Sequence, residues 1–189
     1  MNIHNYIAHN FIHTDRLEDI YLASDFHFFH KNILQYDPDR WAKFSSLDEH
    51  NEYIIWELNK LPLDCKLIFL WDLALGNNDK VVELVSRINI EYKYRILWNH
   101  DQKALINKCS PLRKTISEDM WINEYIYLNH YPPVDYLGKE RYKITSGRKY
   151  IFGHTHKGSW RMSNNMADIS YNGNQLIFNL KELLQTQWK

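Results

Sequence analysis

Five short apolar runs limit what this chain can fold into. Ile20 to Ser24, Lys66 to Leu70, Tyr92 to Leu97, Glu124 to Leu128 and Lys149 to Phe152 are four to six residues long and rich in β-branched and aromatic types, so they read as buried strands. Helix-period segments separate several of them, an alternation that points to an α/β fold. Ser46-Leu47-Asp48-Glu49 is a capping box, and Leu47, Ile54, Leu58 and Leu61 then recur at helical spacing until Pro62. Asp79 to Ile88 carries Val81, Leu84, Val85 and Ile88 on one stripe, and Asp101 to Lys108 reads as a third helix. Tyr136 to Arg148 reads as loop, and Leu176 to Leu184 as a last strand running into a short helix.

The runs matter most for where they stop. Each passes within a residue or two into polar groups able to bind metal: Asp25 and His27, Asp72, Asn99 and His100, His130, then His154 and His156. Ligands of open α/β sheets gather at strand ends, so five such termini can converge on one crevice. Asp25 and His27, two apart in an extended segment, are expected to point the same way, as are the imidazoles of His154 and His156. Asp72 has two carboxylate oxygens and can bridge two cations. A donor set of nitrogen and oxygen without thiolate suits manganese, iron, zinc or nickel better than calcium or copper(I).

Composition narrows the setting. A chain of 189 residues fits one domain, with 1–19 as an N-terminal extension, and 44% hydrophobic against 24% charged residues is ordinary for a folded protein. Lys plus Arg and Asp plus Glu balance at 23 each, which argues against nucleic acid beyond short oligonucleotides and leaves any anionic substrate to be attracted locally. Cys65 and Cys109 form no framework and read as thiols of a reducing compartment. No signal-peptide pattern or membrane-length apolar run is visible, so the expected location is cytoplasmic.

The series Ser24-Asp25-Phe26-His27, Trp71-Asp72, Trp98-Asn99-His100-Asp101, His130-Tyr131-Pro132 and Gly153-His154-Thr155-His156 resembles the five-block signature of the calcineurin-like metallophosphoesterases. Phe28 to Ile33 and Leu73 to Gly76 resemble a compact bacterial and phage branch of that family. The resemblance implies a four-layer α/β sandwich, two mixed sheets flanked by helices, whereas periodicity alone supports only α/β. It implies two divalent ions, manganese first and zinc, iron or nickel as alternatives. Asp25, His27 and His156 would hold one ion, Asp72 would bridge, and Asn99, His130 and His154 would complete the second site. His100 would protonate the leaving oxygen, with Asp101 orienting it, while a metal-bridging hydroxide attacks phosphorus. The implied activity is hydrolysis of a phosphodiester or phosphomonoester.

Three positions depart from the pattern: Trp71, Trp98 and Phe29 stand where the family has glycine. Glycine serves there by tolerating positive φ and close backbone approach, which bulky residues do not. Several readings stay open. The rings pack into the core; or they form walls that stack a nucleobase, favouring nucleotide substrates; or the site is degenerate and the protein is a metal-binding interaction module. A fourth concerns the gene, since UGA is read as Gly in one variant code and Trp in another. Among other residues, His30 reads either as a substrate or outer-shell partner or as a surface residue. His4, His9 and His13 read as the surface of an added strand or arm, and Arg141, Lys143, Arg148 and Lys149 as a local basic patch that either steers a polyanion or is a solvated face. Tyr131 and Tyr136 read either as cleft lining or as core.

Overall fold

The computed structural model describes residues 11–96, 114–116, 119–135, 137–156, 161–163 and 165–187. In it the chain is α/β, with two mixed sheets and helices. Strands β2 (Ile20–Ala23), β3 (Lys66–Phe69), β4 (Tyr92–Ile96) and β5 (Lys114–Ile116) run parallel side by side. Strand β11 (Phe178–Asn179) closes that five-stranded sheet antiparallel to β2. The six-stranded sheet has the order β1-β6-β7-β8-β10-β9, formed by Phe11–Ile12, Asp119–Ile122, Ile126–Asn129, Lys149–Phe152, Met166–Asp168 and Arg161–Ser163.

Side-chain alternation along these strands builds three apolar layers. Leu22, Ile68 and Ile96 face Ile122, Leu128 and Ile151 across the gap between the sheets. The other face of the five-stranded sheet, through Ala23, Leu67 and Phe69, meets helices α3 (Leu47–Leu58) and α4 (Asn78–Ser86). Outside the six-stranded sheet, Tyr127, Tyr150 and Phe152 are covered by Tyr142 and Ile144 of the loop read from sequence. Among the described residues no helix is long and apolar enough to cross a membrane. Cys65 is buried, and burial with Asp64 and Asp19 nearby pushes its thiol up to about 11, which makes it inert.

Helix α3 starts as expected, with the Ser46 hydroxyl accepting from the Glu49 amide at 3.1 Å. The return arm of the capping box differs: Glu49 accepts from the Ser45 amide (2.8 Å) and hydroxyl instead of from Ser46. Two expected boundaries move. Asn123 and Glu124 have positive φ and make a turn, so β7 begins at Ile126, not Glu124. The last strand is only Phe178–Asn179, the length of its pairing with Tyr21 and Leu22, before helix α5 (Leu180–Gln187) takes over. Strands β1, β5, β9 and β10 and the short helices α1 (Ile33–Tyr36) and α2 (Pro38–Lys43) are too short to carry a periodic signal of their own, and β6, whose burial alternates, is a strand the sequence reading did not include. The expected helix at Asp101 to Lys108 lies outside the described residues.

Candidate metal centre

The turns that follow β2 and β3 run alongside each other. The Asp25 amide donates to the Trp71 carbonyl at 3.0 Å, His27 to Asp72 at 2.8 Å and Phe28 to Leu73 at 2.9 Å, so neither turn can move alone. Nine described non-glycine residues have positive φ, and seven of them are Asp25, His27, Phe29, Trp71, Asp72, His154 and His156. Asp and His visit the left-handed region more readily than other types, yet each such residue costs on the order of 1 to 3 kcal/mol and clusters where function demands it. Asp25 and His27 therefore do not converge by extended alternation, the expected route. Left-handed turns aim them, as they aim His154 (φ 77°) and His156 (φ 53°), which point into different groups.

Two groups result. In the first, Asp25, His27 and His156 bring their donor atoms within 4.8 Å of one another. His27 Nε2 and His156 Nε2 are 3.1 Å apart, and Asp25 Oδ1 is 3.3 Å from His156 Nε2. In the second, Asp72, His130 and His154 do the same, with His130 Nε2 3.1 Å from His154 Nδ1. Asp72 Oδ2 stands between the groups, 3.7 Å from His27 Nε2 and 3.6 Å from His130 Nε2. Metal–imidazole bonds of about 2.0–2.1 Å, at tetrahedral to right angles, put two nitrogens on one ion roughly 2.9–3.4 Å apart. Both 3.1 Å pairs meet that requirement.

Protonation suits ligation at His27 and His154, whereas His156 must give up a proton before it can bind an ion. His130 Nδ1 lies 3.3 Å from the Leu70 carbonyl, and since a carbonyl only accepts, that contact fixes the proton on Nδ1 and turns the Nε2 lone pair to Asp72 and His154. Burial pushes His27 well below its ordinary value and His154 down to about 4, with His130 adding to the latter, so both are neutral donors near pH 7. Burial alone would raise Asp25, but His156, His130 and His27 outweigh it and hold the carboxyl far below its usual range. Burial would likewise depress His156, yet the Asp25 and Asp37 carboxylates lift it to about 9. The first group thus draws positive charge to the place where a cation would sit.

Close contacts hold the frame. A Cβ on Gly153 would meet the Ser24 side chain (Cβ at 2.9 Å) and the Asp25 carboxylate, so the end of β8 comes this near only because residue 153 has no side chain. The His154 amide then donates to both Asp25 oxygens, at 3.2 and 3.1 Å. Asp168 is bonded by the Thr155 hydroxyl and, at 2.6 Å, by the Ser170 hydroxyl, which pins the turn between the two histidines.

Six expected ligands therefore meet: Asp25, His27, Asp72, His130, His154 and His156. Asn99, His100, Asp101, Trp98, Tyr136, His4 and His9 lie outside the described residues. Trp71 goes into the core: it is 2% exposed at φ 74°, and its ring stacks on His130 at 5.1 Å, so it is no wall for a substrate base. Phe29 packs on the helix side of the sheet. His30 is half-buried, with its ring 5.4 Å from His27. Tyr131 is another aromatic beside the second group, its ring 4.4 Å from His154 and under the Arg141 guanidinium at 4.8 Å. Of the basic residues before the last motif, Arg148 lies over the Trp121 ring at 4.6 Å. His13 stacks on Phe11 at the edge of the six-stranded sheet.

Sequence reasoning missed Asp37, Arg40 and His50. Arg40 and His50 are 0% exposed and Asp37 4%, and all three are linked by hydrogen bonds behind the first group. The only local signal was Asp37-Pro38, a helix start with proline at the first helical position.

No family model matches the chain, and no solved structure matches it. The chain is similar to the uncharacterized protein MJ1445 of Methanocaldococcus jannaschii, 28% identical over 144 residues that span 68% of this chain and 80% of the relative.

Proposed function

We propose that this chain is a dinuclear metal-dependent phosphoesterase of the calcineurin-like kind, with the corresponding four-layer sandwich, hydrolysing a phosphodiester or phosphomonoester bond in the cytoplasm. The observation that carries the reading is the position of Asp72 Oδ2 between two nitrogen-rich groups, 3.7 Å from His27 and 3.6 Å from His130. A carboxylate of one triad that also faces a histidine of the other suits two neighbouring cations. Two divalent ions, manganese first and zinc, iron or nickel as alternatives, supply electrophilic charge and an activated water when bound.

The chain's own residues do the rest. Asp25, His27 and His156 would hold one ion, Asp72 would be shared, and His130 and His154 with Asn99 would hold the other. His100 gives a proton to the leaving oxygen, and Asp101 orients it. With Trp71 in the core, its ring offers no stacking wall to a nucleotide substrate.

A second reading, a degenerate metal-binding module, has one observation in its favour: a bulky Trp71 in left-handed backbone directly beside Asp72. Assay of a generic chromogenic phosphodiester with added manganese separates the two. The enzyme reading expects turnover that Asp72→Asn and His100→Ala each reduce by at least a hundredfold. Wild-type protein without turnover in manganese, zinc, nickel or iron supports the module.

A further inference from the structure

Arg40 is wholly buried, and each of its five guanidinium N–H groups has an acceptor. Nε donates to Asp37 Oδ2 at 2.8 Å. One terminal nitrogen reaches the Phe26 carbonyl at 3.1 Å and His50 Nε2 at 3.3 Å. The other reaches the Asp25 carbonyl at 2.6 Å and the Tyr171 carbonyl. Two of these carbonyls belong to the turn that carries Asp25 and His27. Since Arg only donates, His50 Nε2 must accept, which leaves Nδ1–H to face Asn51 Oδ1 at 3.3 Å.

Taking a guanidinium out of water costs several kcal/mol, and apolar packing of equal volume often serves stability as well or better. Five satisfied bonds remove most of that penalty but do not explain why a charge is there. The far side of Asp37 does. The oxygen that accepts from Arg40 Nε also lies 3.7 Å from His156 Nδ1, a charge contact just beyond hydrogen-bond reach. His156 Nε2, across the same ring, is the atom that faces Asp25 and His27. A carboxylate behind one ring nitrogen fixes which nitrogen keeps its proton and where the other lone pair points.

We propose that Asp37 and Arg40 form a positioning pair for the first metal triad: Arg40 clamps the Asp25–Phe26 backbone and the Asp37 carboxylate, and Asp37 holds the His156 ring with Nε2 toward the ion. This rests on the reading of Asp25, His27 and His156 as metal ligands. It makes the two triads unequal, because behind His130 stands a neutral carbonyl, that of Leu70, where His156 has a carboxylate.

The test is metal titration by calorimetry, with bound ion counted by elemental analysis, using wild type and Asp37→Asn. Asparagine keeps the shape and the N-cap of α2 and removes the charge. The expected result is two zinc ions per wild-type chain and, in the variant, one affinity weakened roughly 10- to 100-fold with the other unchanged. Asp37→Glu should recover part of the loss, which a purely structural role would not give. A second readout needs no variant: long-range proton–nitrogen NMR of the zinc-loaded wild type should show His156 protonated at Nδ1 and ligating through Nε2. Two unchanged affinities in Asp37→Asn, or His156 bound through Nδ1, overturn the pairing while leaving a dinuclear centre standing. A wild type that takes up no ion overturns both.

Discussion

His50 sits in an unforgiving place: 0% exposed, with a guanidinium on one ring nitrogen and an amide oxygen facing the other. Burial, then the Arg40 charge, pushes it down to about 4 from an ordinary 6.5. A folded-state value below the unfolded one means that the native form resists a proton the unfolded chain accepts. The stability that depends on neutral His50 is therefore whole above pH 6.5 and drains away as pH falls toward 4, by on the order of 3 kcal/mol in all. Urea midpoints measured from pH 7 to pH 4 should fall, and His50→Gln, whose amide oxygen can still accept from Arg40, should flatten the decline. An equally steep decline in that variant would remove His50 as a cause. At this scale the sequence was legible for residues whose role follows from standing at a strand end, as with Asp72 and His130. It was silent on Asp37, Arg40 and His50, because their roles arise from which carbonyls and rings the fold brings to them, and no spacing encodes that.

The turns after β2 and β3 interlock through small and large partners. Phe29, at φ 59°, presses on Gly76, where an added Cβ would lie 2.8 Å from the Phe29 Cβ. Gly76→Ala is expected to destabilise by about 1 to 3 kcal/mol, the usual range for overpacking. Phe29→Gly should cancel most of that loss, since it removes the colliding atom and relaxes a strained φ. A double-mutant cycle by thermal melting measures the coupling, and additive effects would show that the two turns do not touch in this way. Helices α3 and α4 were readable because an apolar stripe, and for α3 a cap as well, lies within one stretch of chain. Strands β1, β9 and β10 were not, because two or three residues cannot display a period, and only pairing with a neighbour makes them strands. The end of β8 shows the same limit differently: His154-Thr155-His156 announces two ligands but not that positive φ at both sends them to opposite groups.

Across the whole molecule, the six residues expected as ligands come from the ends of β2 and β3 in one sheet and of β7 and β8 in the other, so ions bound there would tie the two sheets together. An ion that binds only the folded form adds about 2.7 kcal/mol at a hundred times its dissociation constant, or roughly 5 to 10 °C in melting temperature for a chain this size. Manganese or zinc should raise the melting temperature by at least that much, and a chelator should reverse it. A melting temperature indifferent to saturating metal would contradict a centre built across both sheets. The α/β class was plain from the alternation of runs, while the division into two sheets came from the family resemblance, since periodicity does not say which strands are neighbours. One remote feature bears on how the protein can be handled. Phe11–Ile12 pairs with Trp121–Ile122 and covers the flank of the six-stranded sheet. Trimming the chain past residue 12 would bare the backbone groups of Trp121 and Ile122, inviting strand addition from another copy and aggregation.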